Sequence, residues 1–388
     1  MSGSDRLPGS KPLTFNRPTL EGDELAYVRQ AVEGGHTSGS GPFAAQAAEV
    51  LRSELGAHDV LLTTSCTAAL EMSGLLLDLQ PGDTVIVPSF TFVTTALAFA
   101  RAGARLVFAD IEEDTLGIDP ASVADLLDAR VRAVVAVHYA GIGCDLMGLQ
   151  KALATAPDVD LIEDNAHGLF GRYQDRPLGS FGRFATLSFH ETKNFVCGEG
   201  GALILNDPRD IERAHVLYDK GTNRRAFMLG DVDKYSWKDT GSSFGLSDIL
   251  AAYLLAQLEQ RKNILAKRRA VFERYDELLA PLADDLGFRT PVLPDDRDAA
   301  WHMYYVLLTD RETRDHVLEE MRAHDIHPTF HYVPLHTSDG GFRFAGRLTD
   351  CPVTDSVSSR ILRLPFHNAL RGDEIERIVD RLVASLGG

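Results

Sequence analysis

Cysteine is scarce. Four residues in a chain of 388, Cys66, Cys144, Cys197 and Cys351, form no CxxC pair, which argues against a disulfide framework or a structural zinc site and suits a reducing compartment. Basic excess is missing too. The 39 Lys and Arg face 56 Asp and Glu, a formal charge of -17, so the chain lacks the electrostatics of nonspecific nucleic-acid or anionic-membrane binding. The strongly apolar stretches, such as residues 92–100 and 131–137, fall well short of the roughly 20 residues that cross a bilayer. The opening MSGSDRLPGSKP has no apolar segment of the kind an export signal needs. Residues 1–14 are therefore expected to form a loose tail, and the location is expected to be cytoplasmic, with no nucleic-acid or membrane partner.

What is there is the composition of a globular protein, 44% hydrophobic and 24% charged, long enough for two domains. From about Val60 to Asn206, short β-branched runs alternate with helix-length amphipathic runs, the pattern of a mostly parallel sheet with helices on both faces. Seven strands are expected at 60–63, 84–88, 105–109, 133–137, 161–163, 186–189 and 202–205, with helices at 68–78, 93–101 and 146–154. The last strands are too close together for crossover helices, so hairpin or edge strands there would make the sheet mixed. From Leu246, apolar residues recur at helical spacing as far as Pro281, one long helix or two in tandem. A smaller α+β unit follows, with strands at 303–308 and 329–332 and helices at 312–324 and 373–386. The expected division is a large α/β domain over 15–245, a linking helical region over 246–280 and a small domain over 281–388.

Three segments place chemistry at strand ends. In VLLTTSCTAAL a strand runs through small hydroxyl residues into a helix, leaving the backbone N–H groups of Ser65, Cys66 and Thr67 to face an anion. An ordinary N-cap accounts for the same residues. In LIEDNAH a strand ends at Asp164, where open α/β sheets bind ligands, although a turn residue would look alike. In TLSFHETKN, Ser188 and Lys193 follow another strand and precede the glycine-rich CGEGG. A lysine in such a partly apolar setting can act as an amine nucleophile, while most lysines are solvated surface charges. Together the anion turn, the acid and the lysine meet the needs of pyridoxal phosphate: a phosphate anchor, a partner for the ring nitrogen and a Schiff-base lysine. In PSFTFV, Phe90 could stack on the ring.

The runs TSCTAAL, PGDTVIVPSFTFV, VHYAG, SFHETKN, GEGGA, KGTNR, DKYSWKDTGSSF and YVPLH resemble the DegT/DnrJ/StrS family of nucleotide-sugar aminotransferases. The likeness is to its branch that aminates dTDP-4-keto-6-deoxyhexoses. It implies the fold-type-I architecture of pyridoxal-phosphate-dependent transferases. It further implies that Lys193 forms the Schiff base and shuttles protons, that Asp164 partners the pyridinium nitrogen and that Phe90 stacks on the ring. The phosphate falls to the N–H groups of Cys66 and Thr67 with the Ser188 hydroxyl. His167, where many relatives carry Gln, would approach the ring's 3-hydroxyl. Ser243 stands where many relatives place an Asn that reaches the phosphate across a homodimer interface. For the nucleotide sugar, Lys220, Asn223 and Arg224 are candidates, as are Tyr332 and His336, against surface charge and core aromatic as plain alternatives.

The resemblance also separates activities. Sugar dehydratases of the family carry His in place of the Schiff-base lysine, so Lys193 favours transamination from L-glutamate to the keto sugar. The alternatives are a transaminase acting at C3, a dehydratase, and a noncatalytic regulator that binds the cofactor or the sugar as a signal. Metal is not indicated, because His190-Glu191 is followed by Asn194 where HExxH requires His. Gly39-Ser-Gly41-Pro42 imitates a dinucleotide loop, but no strand precedes it, and a surface loop is expected.

Overall fold

A computed structural model describes residues 12–387. Its strands are β1 (Asp59–Thr63), β2 (Thr84–Pro88), β3 (Arg105–Ala109), β4 (Val131–Val137), β5 (Asp160–Asp164), β6 (Arg172–Tyr173), β7 (Arg176–Pro177), β8 (Phe184–Ser188), β9 (Gly201–Leu205), β10 (Arg297–Asp298), β11 (Tyr305–Leu307) and β12 (Ile361–Arg363). Seven of them form the main sheet in the order β1-β9-β8-β5-β4-β2-β3. Pairing from β3 through β8 is parallel, and β9 runs antiparallel to both β8 and β1. Twelve residues, 189–200, separate β8 from β9, and the chain returns as an antiparallel connection rather than a helical crossover.

Alternation along each strand divides the core into two layers. Leu61, Val85, Val87, Phe108 and Leu203 pack with the helices Cys66–Leu76 and Val93–Arg101. Their neighbours Val60, Leu62 and Ile204 pack with the helices Pro42–Leu55 and Asp248–Glu259, and Ile86, Val107 and Val134 with the helix Leu146–Leu153. Central parallel strands lose solvent on both faces, which is why β4 reads as an almost unbroken valine and alanine run.

The tandem helices are Asp248–Glu259 and Arg261–Leu279, separated at Gln260, whose φ of -89° and ψ of 11° leave the helical range. They lead to a second core around Phe272, Tyr275, Trp301 and Tyr304, where β11 pairs with β12 and the helices Arg311–Ala323 and Gly372–Ser385 close over the strands.

Some expectations need correction. Residues 329–332 are not a strand: Thr329 makes a single bridge to Arg363. The adjacent rings of His331 and Tyr332 stack at 3.9 Å and 12°, whereas successive strand side chains point to opposite faces. Pro42 does not sit in a surface loop but opens the helix Pro42–Leu55 with Gly41 as its N-cap, since proline suits a first helical position that needs no N–H donor. Of the expected tail, residues 1–11 lie outside the described residues. Leu13 is buried and its N–H donates to Asp325 O at 2.8 Å, so this part of the stretch packs on the small domain.

Candidate active site

Because β1, β2, β4, β5 and β8 all point the same way, their carboxyl ends share one edge of the sheet, the edge where open α/β sheets bind ligands. A cavity of about 480 Å3 opens there. Residues beyond β1 (Ser65, Cys66, Thr67), β2 (Thr91, Phe92), β5 (Ala166, His167) and β8 (His190, Lys193) line it, as do Asp164 and Ser188 at the ends of their strands. The C-terminal part of the chain adds His302, His331, Tyr332 and Arg363.

The anion turn forms because Ser65 caps the helix Cys66–Leu76, its Oγ accepting from Ala68 N at 3.1 Å. That leaves the N–H groups of Cys66 and Thr67 at a helix start, where intrahelical partners are lacking and the dipole is positive. The start of β9 passes directly behind. A Cβ on Gly201 would come within 2.4 Å of Cys66 N and 2.6 Å of Ser65 O, so only glycine fits. Gly201→Ala is expected to destabilise the fold by about 1–3 kcal/mol through overpacking. It should also weaken pyridoxal phosphate binding about tenfold or more, read by cofactor titration and thermal melting.

Asp164 is 5% exposed. Its Oδ2 accepts from the Thr95 hydroxyl at 2.7 Å, and its Oδ1 from Ala166 N at 3.2 Å. Among the described residues no cation pairs with it at ion-pair distance. Burial raises its pKa, against the opposing pull of the Thr95 hydrogen bond. The preceding Glu163 anchors this strand end, accepting from Gly179 N, Phe181 N and Gly182 N and contacting His138 Nε2 at 3.0 Å.

Lys193 rides on the connection between β8 and β9, where Asn194 ties the loop to the small domain. The Asn194 amide donates to Ala300 O at 2.6 Å, and its oxygen meets His302 Nδ1 at 2.8 Å. Burial pushes the Lys193 amine down to about 8, although the nearby Asp164 carboxylate holds it up. Burial and the nearby Lys193 charge likewise lower the His167 pKa, favouring the neutral ring. His167 stacks on His302 at 4.2 Å, and its Nδ1 is buried without a hydrogen-bond partner.

The cavity therefore gathers Ser65, Cys66, Thr67, Asp164, His167, Ser188, Lys193 and Tyr332 from the expected set. It does not gather the others. Phe90 is 1% exposed and packs on Tyr139 and Tyr332, outside the cavity lining. Phe92, two residues on and 57% exposed, lines the cavity instead. Lys220 pairs with Asp219 at 2.8 Å. Asn223 closes its own loop through Lys234 O and Ser236 N. Arg224 and Ser243 are exposed away from the cavity lining, and His336 meets Ser89 Oγ at 2.7 Å. Sequence reasoning missed Phe92, Thr95, His302, His331 and Arg363. Phe92 and Thr95 lay in or beside the quoted PSFTFV run, whereas the small-domain residues carried no local signal apart from a lone charge in ILRLPF. Among the described residues, no cluster of His, Cys, Asp or Glu could hold a metal ion, and no helix is long and apolar enough to cross a membrane.

A buried acid lacking a cation, an unpartnered imidazole nitrogen, a helix start shaped by Gly201 and a lysine with a depressed pKa suit pyridoxal phosphate, and with this sheet they define a fold-type-I transferase that depends on it. Residues 18–383 match the DegT/DnrJ/EryC1/StrS aminotransferase family, and the chain belongs to that family. The spore coat polysaccharide biosynthesis protein SpsC of Bacillus subtilis (strain 168) is 29% identical over 376 residues, 95% of each chain. The aminotransferase TlmJ from Streptoalloteichus hindustanus superposes with a TM-score of 0.88 at 30% identity, covering 97% of this chain and 99% of its own. DesV of S. venezuelae, solved in complex with a ketimine intermediate, superposes with a TM-score of 0.88 at 27% identity, covering 98% of this chain and 100% of its own.

Proposed function

We propose that the protein transfers an amino group from L-glutamate to C4 of a dTDP-4-keto-6-deoxyhexose, giving a dTDP-4-amino-4,6-dideoxyhexose and 2-oxoglutarate. The observation that carries this reading is Lys193 lining the same cavity as Asp164, a lysine where a dehydratase of the family would have histidine. Pyridoxal phosphate, when bound, supplies an electrophilic carbonyl for amines and a ring that withdraws electrons from the reacting carbon. The protein's own groups do the rest. Asp164 keeps the ring nitrogen protonated. Cys66 N–H, Thr67 N–H and the Ser188 hydroxyl hold the phosphate, and His167 contacts the ring's edge. Phe92 takes the stacking role first given to Phe90. Lys193 would take the proton from the amine-bearing carbon of the donor and deliver it across the shared nitrogen to the carbon that was the cofactor's aldehyde, then work in the reverse order for the keto sugar.

A homodimer belongs to the same proposal. Met228, Leu229, Tyr235 and Trp237 expose apolar surface, Trp237 to 82%, on the segment that also carries Lys220, Asn223 and Arg224. A second subunit there would cover this surface and bring those residues and Ser243 toward a nucleotide sugar. The proposed setting is the cytoplasm.

Glutamate and dTDP-4-keto-6-deoxyglucose given together should yield one 2-oxoglutarate per amino sugar, and ring-proton couplings by NMR then define the configuration at C4. A deoxygenated, nitrogen-free product would make the protein a dehydratase, and amination only of a 3-keto sugar would move the reaction to C3. A cofactor-bound protein that never responds to an amino acid would make it a regulator.

A further inference from the structure

We propose that Arg363 determines specificity by binding a carboxylate of a substrate as it enters beside Lys193. This rests on the aminotransferase reading above and adds the class of group that the cavity selects.

Arg363 ends β12, is 5% exposed and lines the cavity. All its contacts are neutral. Its Nε donates to Met303 Sδ at 3.1 Å, a terminal nitrogen meets His331 Nε2, and the guanidinium lies 4.3 Å from the centre of the Phe15 ring. Burial keeps the imidazole of His331 and the phenols of Tyr139 and Tyr332 uncharged. Among the described residues, no carboxylate lies within ion-pair distance of Arg363. Other buried arginines differ. Arg268 donates to Trp301 O, His302 O and Asn368 Oδ1, and Arg314 pairs with Asp315.

A guanidinium removed from water is retained where something compensates its charge. A sulfur, an imidazole nitrogen and a ring face do so poorly, so the partner is an anion that arrives from outside. The cofactor's phosphate has its own seat at the start of the helix Cys66–Leu76. A planar fork of donors matches a carboxylate best. Two substrates could bring such a group: the amino acid, at its α- or side-chain carboxylate, or a keto sugar carrying a carboxyl substituent.

The test uses the cofactor-loaded protein and two variants, Arg363→Met and Arg363→Lys. Glutarate, a dicarboxylate without an amine, should bind about 30-fold or more weakly to Arg363→Met, with lysine restoring part of the affinity. Each half-reaction is then followed alone through the cofactor's absorbance. For a donor carboxylate, the glutamate half-reaction of Arg363→Met should lose about 10²-fold in kcat/KM, mainly through KM, while cofactor affinity and melting temperature stay put. Should only the keto-sugar half-reaction fall, and only for a carboxylated sugar, the carboxylate belongs to the acceptor. Glutarate affinity and both half-reactions within about twofold of wild type in Arg363→Met would overturn the proposal. Wild-type protein that binds glutarate through Arg363 yet transaminates nothing would defeat the functional reading while leaving this one standing.

Discussion

Replacing Lys193 with alanine is expected to lower turnover by about 10⁴-fold or more, since the side chain is proposed to serve as both covalent nucleophile and proton carrier. Pyridoxal phosphate should still bind, because Cys66, Thr67, Ser188 and Asp164 remain, but borohydride reduction should no longer fix it to the chain. In the wild type the same treatment should label residue 193, and a label on any other residue would sink the assignment. The pH dependence follows from the depressed pKa. Only the neutral amine attacks a carbonyl, so capture of the cofactor by the cofactor-free protein should quicken as pH rises and level off above about 8. A lysine with an ordinary value of 10.5 would keep accelerating for two further pH units or so. Stopped-flow absorbance separates the two.

Asp164→Asn carries the second large effect, with opposite signs in two measurements. Turnover should fall by about 10²–10³-fold, because a charge that stabilises the electron-rich ring in the transition state is lost. The cofactor-free fold should instead gain stability near neutral pH. Burial raises the Asp164 pKa above its ordinary 3.8, so across that interval the folded protein binds more protons than the unfolded chain. Its contribution to stability therefore falls as pH rises, and asparagine has no such slope. Thermal melting of both proteins across pH 4–8, cofactor removed, is the measurement; a cofactor-free Asp164→Asn protein that melts lower at neutral pH would contradict this account.

Legibility in the sequence followed how local each signal was. The extents of β2, β3 and the helix Val93–Arg101 were readable to the residue, because buried alternation and helical spacing end there at turn residues. The end of β5 brings Asp164 to the cavity lining, as expected of a residue at the carboxyl end of a strand in an open α/β sheet. Phe90 and Phe92 show where such reasoning stops. The two rings stand two residues apart just past the end of β2, and only the turn of the chain there buries one in the core and brings the other to the cavity lining. The run 329–332 misled in the same way, because its β-prone residues serve to stack the His331 and Tyr332 rings at the cavity and not to pair a strand.

The amino-acid order alone determined the alternating α/β plan, the strand-end lysine and acid, and the family resemblance, all carried by patterns within a few residues of one another. Tertiary structure alone decided which groups share the cavity. Arg363, His331 and His302 reach Lys193 from more than 100 residues along the chain. Their neutral surroundings arise from packing between segments remote in sequence, and burial, which sets both the amine's pKa and the arginine's need for an anion, is a property of that packing and not of any local run of residues.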